Sequence, residues 1–333
     1  MTLKKNKTLI IAEIGVNHNG NIKIAEKLIF AAKKAGADYA KFQMYIPEEI
    51  AAVNSVKAKY QDKHVGKKIS QLEMLKKYSF NYSEFRYLYK YCKKIKIKFL
   101  ASVFDCKSLK ILSKFKIDFI KLPSSEIDNF FLLEDLSKNN SNIIFSTGMS
   151  HQKEINNAYK ILSKNKKRIV TPMYCVSSYP TQLSEIDFYK LIQLKKKYKT
   201  FGFSDHTKTN ETAIISTYLG ATIIEKHLTL NKKMRGPDHT SSLDPKQFKN
   251  FVDTIKNVDL LKLKNKTELE MKNKKFVRKY LVAKTYIITG AKFSKDNITA
   301  KRCGGGLSSK YFKILKDKKS IRDYKKDENI IKQ

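Results

Sequence analysis

Short β-rich apolar runs recur along the chain, and each is followed by a stretch whose apolar residues return at helical spacing. The strand-like runs are Thr8 to Glu13, Asp38 to Gln43, Ile97 to Ser102, Phe119 to Lys121, Asn142 to Ser146, Ile169 to Cys175, Phe201 to Ser204 and Thr222 to His227. Between the first two, Ile24, Leu28, Ala31, Ala32 and Ala35 make one apolar stripe, and Gly36 supplies the left-handed residue that ends a helix. Further amphipathic stretches occupy Tyr82 to Lys94, Lys107 to Phe115, Phe130 to Lys138, Glu154 to Lys164, Asp187 to Tyr198 and Glu211 to Gly220. Strands alternating with helices in this way over about 260 residues predict an α/β fold, a (β/α)8 TIM barrel. A doubly wound open sheet is the alternative, but no GxGxxG follows the first strand.

One long gap, Ile46 to Asn81, interrupts the rhythm; within it Val53 to Ile69 has little periodicity and reads as an excursion over the barrel mouth, of the kind that serves as a lid. After Val258 the composition shifts to a charged run, Lys262 to Lys275. We expect a barrel domain over residues 1–261, a linker over 262–278 and a small β-rich module over 279–333. That module holds Tyr280 to Ala283, Tyr286 to Ile288, Gly290, Ile298 and the cluster Gly304-Gly305-Gly306. At roughly 55 residues it is marginal as an independent fold and should lean on something larger.

Composition narrows the partners. The formal net charge is +37, yet of 68 basic residues only six are Arg. Phosphate and base recognition favours the planar fork of Arg, and dispersed Lys without an interleaved aromatic stripe argues against a nucleic-acid or other polyanion-binding groove. The apolar run Leu9-Ile10-Ile11-Ala12 soon meets Glu13, far short of the roughly 18 residues a membrane span needs, and no signal peptide precedes it. Cys92, Cys106, Cys175 and Cys303 form no CxxC pair, so reduced thiols in the cytoplasm are expected.

In a barrel of this kind the chemistry sits at the C-terminal ends of the strands. Polar residues gather there in chain order: Glu13, Asn17 and His18; Lys41 and Gln43; Ser102 and Asp105; Lys121, Ser124 and Glu126; Ser146 and Thr147; Ser177 and Tyr179; Ser204, Asp205 and His206; Glu225 and His227. One such residue reads as a solvated loop position, whereas their presence at every strand end does not. His206 and His227 close neighbouring strands, so two imidazoles can share one divalent ion and leave coordination positions open for substrate oxygens. Asp205 and Glu225 stand beside them as candidate orienters. Lys41 and Lys121, with the hydroxyls of Ser102, Ser124, Ser146, Ser177 and Ser204, form a donor set suited to a phosphate and a carboxylate. Lys41 or Lys121 as the Schiff-base nucleophile of a metal-free aldolase is the alternative, and the paired histidines argue against it.

Several motifs, taken in order, resemble the N-acetylneuraminate (sialic acid) synthase family, which includes the legionaminic and pseudaminic acid synthases. They are Ile10-Ile11-Ala12-Glu13-Ile14-Gly15-Val16-Asn17-His18-Asn19-Gly20, Ala35-Gly36-Ala37-Asp38 leading to Lys41-Phe42-Gln43, Ser146-Thr147-Gly148-Met149, Ser204-Asp205-His206-Thr207, Glu225-Lys226-His227 and Gly236-Pro237-Asp238-His239. The C-terminal module resembles that family's SAF, or antifreeze-like, domain through Arg278 to Ala283, Gly290 and Lys301-Arg302. The resemblance implies condensation of phosphoenolpyruvate with an open-chain N-acetylated mannose-type sugar, giving a nine-carbon 2-keto acid and phosphate. It implies His206 and His227 as metal ligands, usually for Mn2+, with Mg2+ or Co2+ as alternatives. Lys41, Ser102, Lys121, Ser124, Ser146 and Ser204 match the phosphoenolpyruvate set, and Gln43, Glu126, Tyr179 and Asp238 match sugar contacts. Glu13 matches a carboxylate near the reacting carbons, and Arg302 an arginine that reaches the sugar's N-acetyl group from the partner subunit of a domain-swapped homodimer.

The chain departs from the family pattern at a few positions. Ser177 stands where some members carry Asn, Ser125 where Gly is usual, Val103 where Pro is usual, and Cys303 where Pro is usual. None of these removes a proposed ligand. Gly236-Pro237-Asp238-His239 is closer to the sialic and legionaminic branches than to the pseudaminic one, which leaves N-acetylmannosamine and 2,4-diacetamido-trideoxy hexoses as alternative sugars.

Overall fold

In the computed structural model, which describes residues 7–56, 69–262 and 267–332, the eight predicted runs pair in chain order and close on themselves. They are β1 (Leu9–Gly15), β2 (Tyr39–Met44), β3 (Lys98–Val103), β4 (Phe119–Leu122), β5 (Asn142–Ser146), β6 (Val170–Tyr174), β7 (Gly202–Asp205) and β8 (Ile223–His227). Every pairing is parallel, and the ring shuts where β1 lies beside β8, with Leu9 opposite Ile223 and Glu13 opposite His227. The closed barrel excludes the open-sheet alternative.

Strand periodicity sorts the apolar residues into two layers. Ile10, Ala12, Ala40, Phe42, Phe99, Ala101, Ile120 and Phe203 face outward and pack under the helices. Leu9, Ile11, Tyr39, Leu100, Phe119, Ile144, Met173 and Ile223 face inward and fill the barrel floor as a separate cluster. The helix Ile22–Ala35 buries Ala25, Leu28, Ile29, Ala32 and Ala35, starts at Asn21, whose side chain accepts from Lys23 and Ile24, and stops at Gly36 with φ +91°. The last barrel helix, Pro245–Leu261, buries Phe248, Phe251, Val252, Ile255 and Val258 and packs beside it. Its Asp259 accepts from the Thr8 amide at 2.8 Å and the Thr8 hydroxyl at 2.8 Å, fastening the chain where it enters β1.

The excursion between β2 and β3 is more ordered than its sequence indicates. It carries a short helix, Pro47–Ile50, and a longer one, Gln71–Tyr78, that opens with a capping box between Ser70 and Glu73. The aperiodic stretch from 57 to 68 lies outside the described residues.

Residues 1–263 and 264–333 form two compact units. In the second, β9 (Tyr280–Ala283) and β10 (Ile298–Lys301) make an antiparallel pair over a core that includes Leu281, Ile287, Phe293, Leu315 and Tyr324. The charged run contains a helix, Glu268–Val277, capped by Thr267, with Glu268 and Glu270 at its start and Lys274 and Lys275 at its end. Charges so placed complement the helix dipole, while the lack of any buried residue explains why no apolar stripe announces it. No helix among the described residues is long and apolar enough to cross a membrane.

Candidate active site

The inward parity that fills the barrel floor turns polar two residues further along each strand. Ile11 gives way to Glu13, Tyr39 to Lys41 and then Gln43, Leu100 to Ser102, Phe119 to Lys121, Ile144 to Ser146, Met173 to Cys175, and Ile223 to Glu225 and then His227. Register brings these together: Glu13 lies opposite Lys41, Ser102 opposite Lys121, and Ser204 opposite Glu225. They line a cavity of about 640 Å³ at the C-terminal mouth of the barrel.

Two lysines and two carboxylates share the cavity floor. Lys41 Nζ lies 3.0 Å from Glu13 and 3.5 Å from Glu225, and donates to Ser102 Oγ at 2.9 Å. Lys121 Nζ reaches Glu225 at 3.3 Å, and Ser204 Oγ donates to the other Glu225 oxygen at 2.8 Å. Burial opposes charge on Glu225, but Lys121 and Lys41 overcome it and hold the carboxyl far below its usual range. Burial pushes Glu13 up instead, since one lysine does not offset it. Burial also works against Lys41, whose two carboxylates nevertheless keep its pKa above the ordinary value. For Lys121, burial, with Lys41 adding to it, wins and lowers the pKa.

His206 and His227 stand above this floor with ring centroids 5.5 Å apart. His206 Nδ1 donates to the Val176 carbonyl at 2.7 Å, which leaves Nε2 with its lone pair, 3.4 Å from Ser204 Oγ. His227 Nδ1 is buried without a hydrogen-bond partner and lies 3.9 Å from Asp238 Oδ2. Burial lowers the pKa of both rings, so both are neutral near pH 7. A neutral imidazole fixed by a backbone carbonyl and a second with an orphaned nitrogen are a donor pair that fits a divalent ion. Among the described residues no group of three or more His, Cys, Asp or Glu side chains is gathered to enclose a metal. Burial, with Glu13 nearby, lifts Asp238 to about 7.

The rim on the β4–β6 side is polar. Ser124 and Ser177 hydroxyls lie 3.2 Å apart, Glu126 accepts from Asn129 at 2.8 Å, and the Tyr179 ring packs 4.3 Å from His206. Gly148 lets the backbone approach this cluster, since a Cβ there would sit 2.4 Å from Ser177 Oγ and 2.8 Å from Cys175 Sγ. Gln43 donates to Glu13 at 3.3 Å on the opposite side.

Thus the barrel residues singled out in sequence, Glu13, Lys41, Gln43, Ser102, Lys121, Ser124, Glu126, Ser146, Ser177, Tyr179, Ser204, His206, His227 and Asp238, line one cavity. Arg302 follows β10 in the second unit and is exposed. Glu225 is more central than its reading as an orienter, because both lysines and Ser204 converge on it; its parity with Ile223 and His227 is the sequence signal. Asp205 does not orient a ligand. It points outward, accepting from Lys226 Nζ at 2.8 Å and Thr212 at 3.0 Å, and Lys226 also holds the Thr207 carbonyl at 2.6 Å. This buried pair shapes the loop that follows β7.

Two further histidines brace the mouth. His18 stacks on Phe80 at 4.1 Å, accepts from the Gly20 amide at Nδ1 and donates to the Gly15 carbonyl. His239 meets Thr229 at 2.6 Å and Asn19 at 3.2 Å, and Asn17 donates to Leu228 and Ser242, so the turn after β1 is tied to the loop that presents Asp238. Burial depresses His18 to about 3 and His239 to about 4. The unfolded chain therefore binds protons below about pH 6.5 that the folded one refuses, so stability present at neutral pH is lost as pH falls towards those values. His18 alone is expected to cost about 2 kcal/mol between pH 7 and 5, with His239 acting in the same direction. Urea unfolding of His18→Gln at the two pH values checks this; an unchanged pH dependence overturns it.

A closed barrel with buried lysines, carboxylates, hydroxyls and an imidazole pair gathered in one cavity at its strand ends has the make-up of an enzyme site. The chain belongs to the NeuB family, whose model matches residues 28–267. It is 38% identical over 330 residues to the N,N'-diacetyllegionaminic acid synthase of Campylobacter jejuni, covering 97% of this chain and 99% of that one. It is 30% identical over 307 residues to the enzyme of the same name from Legionella pneumophila, covering 90% and 86%. A solved N-acetylneuraminic acid synthetase from Leptospira borgpetersenii superposes with a TM-score of 0.70 at 29% identity, covering 82% of this chain and 94% of that one.

Proposed function

We propose that this enzyme condenses phosphoenolpyruvate with an open-chain N-acetylated mannosamine-type aldose to a nine-carbon 2-keto sugar acid and phosphate. The observation that carries the reading is the buried floor, where Lys41 and Lys121 face one cavity with Ser102, Ser146 and Ser204 around them. Such a floor receives a small dianion or trianion in a setting where each charge-assisted hydrogen bond is strong. Lys41 and Lys121 hold the phosphate and carboxylate, so that C3 of phosphoenolpyruvate faces the aldehyde. When bound, a divalent cation, Mn2+ with Mg2+ or Co2+ as alternatives, polarises the aldehyde oxygen; His206 and His227 are its protein ligands. A new bond joins C3 to the aldehyde carbon, water adds to the cation left at C2, and Glu13, whose pKa burial raises, takes one proton of that water and passes it to the aldehyde oxygen, which becomes a hydroxyl. The C2–O bond to phosphorus then breaks, and the C2 hydroxyl gives its proton to the departing phosphate as the ketone forms. Gln43, Glu126, Tyr179 and Asp238 hold the sugar. We assign the enzyme to the cytoplasm, in keeping with its free thiols.

The test is phosphate release from phosphoenolpyruvate with a panel of 2-acetamido aldoses, with the 2-keto acid product measured in parallel. Stoichiometric formation of both is expected. Reductive trapping of a substrate on Lys41 or Lys121 by borohydride overturns it in favour of a Schiff-base aldolase.

The small unit, which we read as the family's SAF module, completes the site in a domain-swapped homodimer. Arg302 is exposed just after β10, and its rigid fork suits an acetamido oxygen at a partner's barrel mouth. Mixing inactive His206→Ala with inactive Arg302→Ala protein is expected to restore activity, because some heterodimers carry one intact site. A fully active monomer, or no recovery despite proven subunit exchange, refutes the shared site.

A further inference from the structure

The seam between β7 and β8 breaks the pattern of the barrel's outer layer. On other strands the outward positions near the strand end are apolar, as at Ile14, Val103 and Leu122. At this seam Asp205 and Lys226 stand opposite one another in register, and each is 1% exposed. A buried ion pair is often no more stabilising than well-packed apolar residues of the same volume, so stability alone gives no reason for it. The other donors of Lys226 supply one. Besides Asp205 at 2.8 Å, its ammonium donates to the Thr207 carbonyl at 2.6 Å and the Thr209 carbonyl at 2.9 Å, which engages all three of its N–H groups. Phe251 of the helix Pro245–Leu261 lies behind it, its ring centroid 5.9 Å from Nζ.

Both carbonyls belong to the loop that joins β7 to the helix Glu211–Tyr218, and His206 stands between Asp205 and Thr207 at the start of that loop. From the other side the Val176 carbonyl holds the His206 ring, and the Thr181 amide donates to the His206 carbonyl at 3.0 Å. The residues flanking Lys226 on β8 turn inward, Glu225 to the cavity floor and His227 to the second imidazole. One residue of β8 therefore grips the loop that carries the first histidine, while its neighbour presents the second.

We propose that Lys226 is a positioning residue that fixes His206 relative to His227 and so sets the affinity of the pair for a divalent ion. The proposal rests on the reading of the two histidines as ligands given above. Lys226 touches neither ion nor substrate; it acts through the backbone of the loop. Groups that orient a metal's ligands in this way contribute about 10- to 100-fold in affinity, because a ligand free to turn loses that freedom when the ion binds.

Titration with Mn2+, followed by the electron paramagnetic resonance signal of the free ion, reads that affinity without turnover. Lys226→Met is expected to raise Kd about tenfold or more, but it also leaves Asp205 buried with its charge uncompensated and so lowers Tm. Asp205→Asn combined with Lys226→Met removes both charges. This double variant is expected to keep Tm close to that of the parent while Kd stays raised about tenfold or more, a separation that a purely structural pair does not produce. A smaller rise in Kd in the folded double variant, or a rise that comes only with a drop in Tm as large as that of Lys226→Met, overturns the proposal and leaves His206 and His227 standing as ligands. Failure of the double variant to fold overturns it too, since the pair then serves the barrel and not the histidines. Absence of Mn2+ binding by the parent overturns the ligand reading and the positioning together.

Discussion

Lys121→Met is expected to lower kcat/KM for phosphoenolpyruvate about a thousandfold while the barrel stays folded. Lys121 is fully buried at the cavity floor, 3.3 Å from Glu225 and 3.5 Å from the Met173 sulfur. A substrate anion placed there loses a desolvated charge partner, and removing a donor of that kind costs a factor of 10² to 10³ or more. Stability changes less, for three reasons. Methionine resembles the lysine stem in shape, the residue rests on the apolar floor layer, and Glu225 keeps Lys41 at 3.5 Å and Ser204 at 2.8 Å. Because burial already disfavours the charged form of Lys121, part of the destabilisation from losing its ion pair is recovered. Steady-state kinetics, with a urea melt as control, separates the two effects. A folded variant within tenfold of the parent shows that Lys121 does not hold the substrate.

The barrel was readable because most strands repeat one physical pattern: outward residues are apolar to meet helices, and inward ones are apolar below and polar above, the buried Asp205–Lys226 pair being an outward exception. Position at the strand ends singled out Lys41, Ser102, Lys121, Ser146 and Ser204 in the sequence, and the period-two pattern applied to Ile223-Ile224-Glu225-Lys226-His227 places Glu225 inward and Lys226 outward. Charge type alone does not make that distinction, which is why Asp205 and Glu225 read as equivalent orienters although one braces a loop and the other anchors two lysines. Asp238 sits on a loop, where no periodicity operates, and only motif resemblance drew attention to it, whereas Tyr179, also on a loop, stood out by its place just after the sixth strand. Met74 and Leu75, which also line the cavity, lie on the short helix Gln71–Tyr78 among glutamine, glutamate, lysine and tyrosine residues, and nothing in that pattern announces the cavity they face. The helix Glu268–Val277 has charge and caps but no buried face, so its sequence is indistinguishable from a solvated connection.

Exhaustive chelation is expected to reduce turnover at least a thousandfold, with Mn2+ restoring it, and neither His206→Gln nor His227→Gln is expected to be rescued. The Val176 carbonyl fixes the His206 tautomer at 2.7 Å, and burial keeps both rings neutral, so no proton has to be displaced for an ion to bind. His227 Nδ1 is buried without a hydrogen-bond partner, and an unpaired buried nitrogen costs of the order of 1–3 kcal/mol, which a ligand would relieve. Binding is therefore expected to stabilise the folded barrel as well as to activate it. At a metal concentration about a hundredfold above Kd the linkage amounts to about 2.7 kcal/mol, which for a barrel of this size raises Tm by several degrees. That shift is expected in the parent and absent in both glutamine variants, a readout independent of catalysis. Glutamine keeps the volume of the site and one weak oxygen donor, so a loss of both the shift and the turnover reports ligation in place of collapse. If the chelated parent retains full turnover, or if either variant keeps both the Mn2+ shift and the activity, the histidine pair is structural. The floor of lysines and hydroxyls would then have to supply the whole of the electrostatic stabilisation.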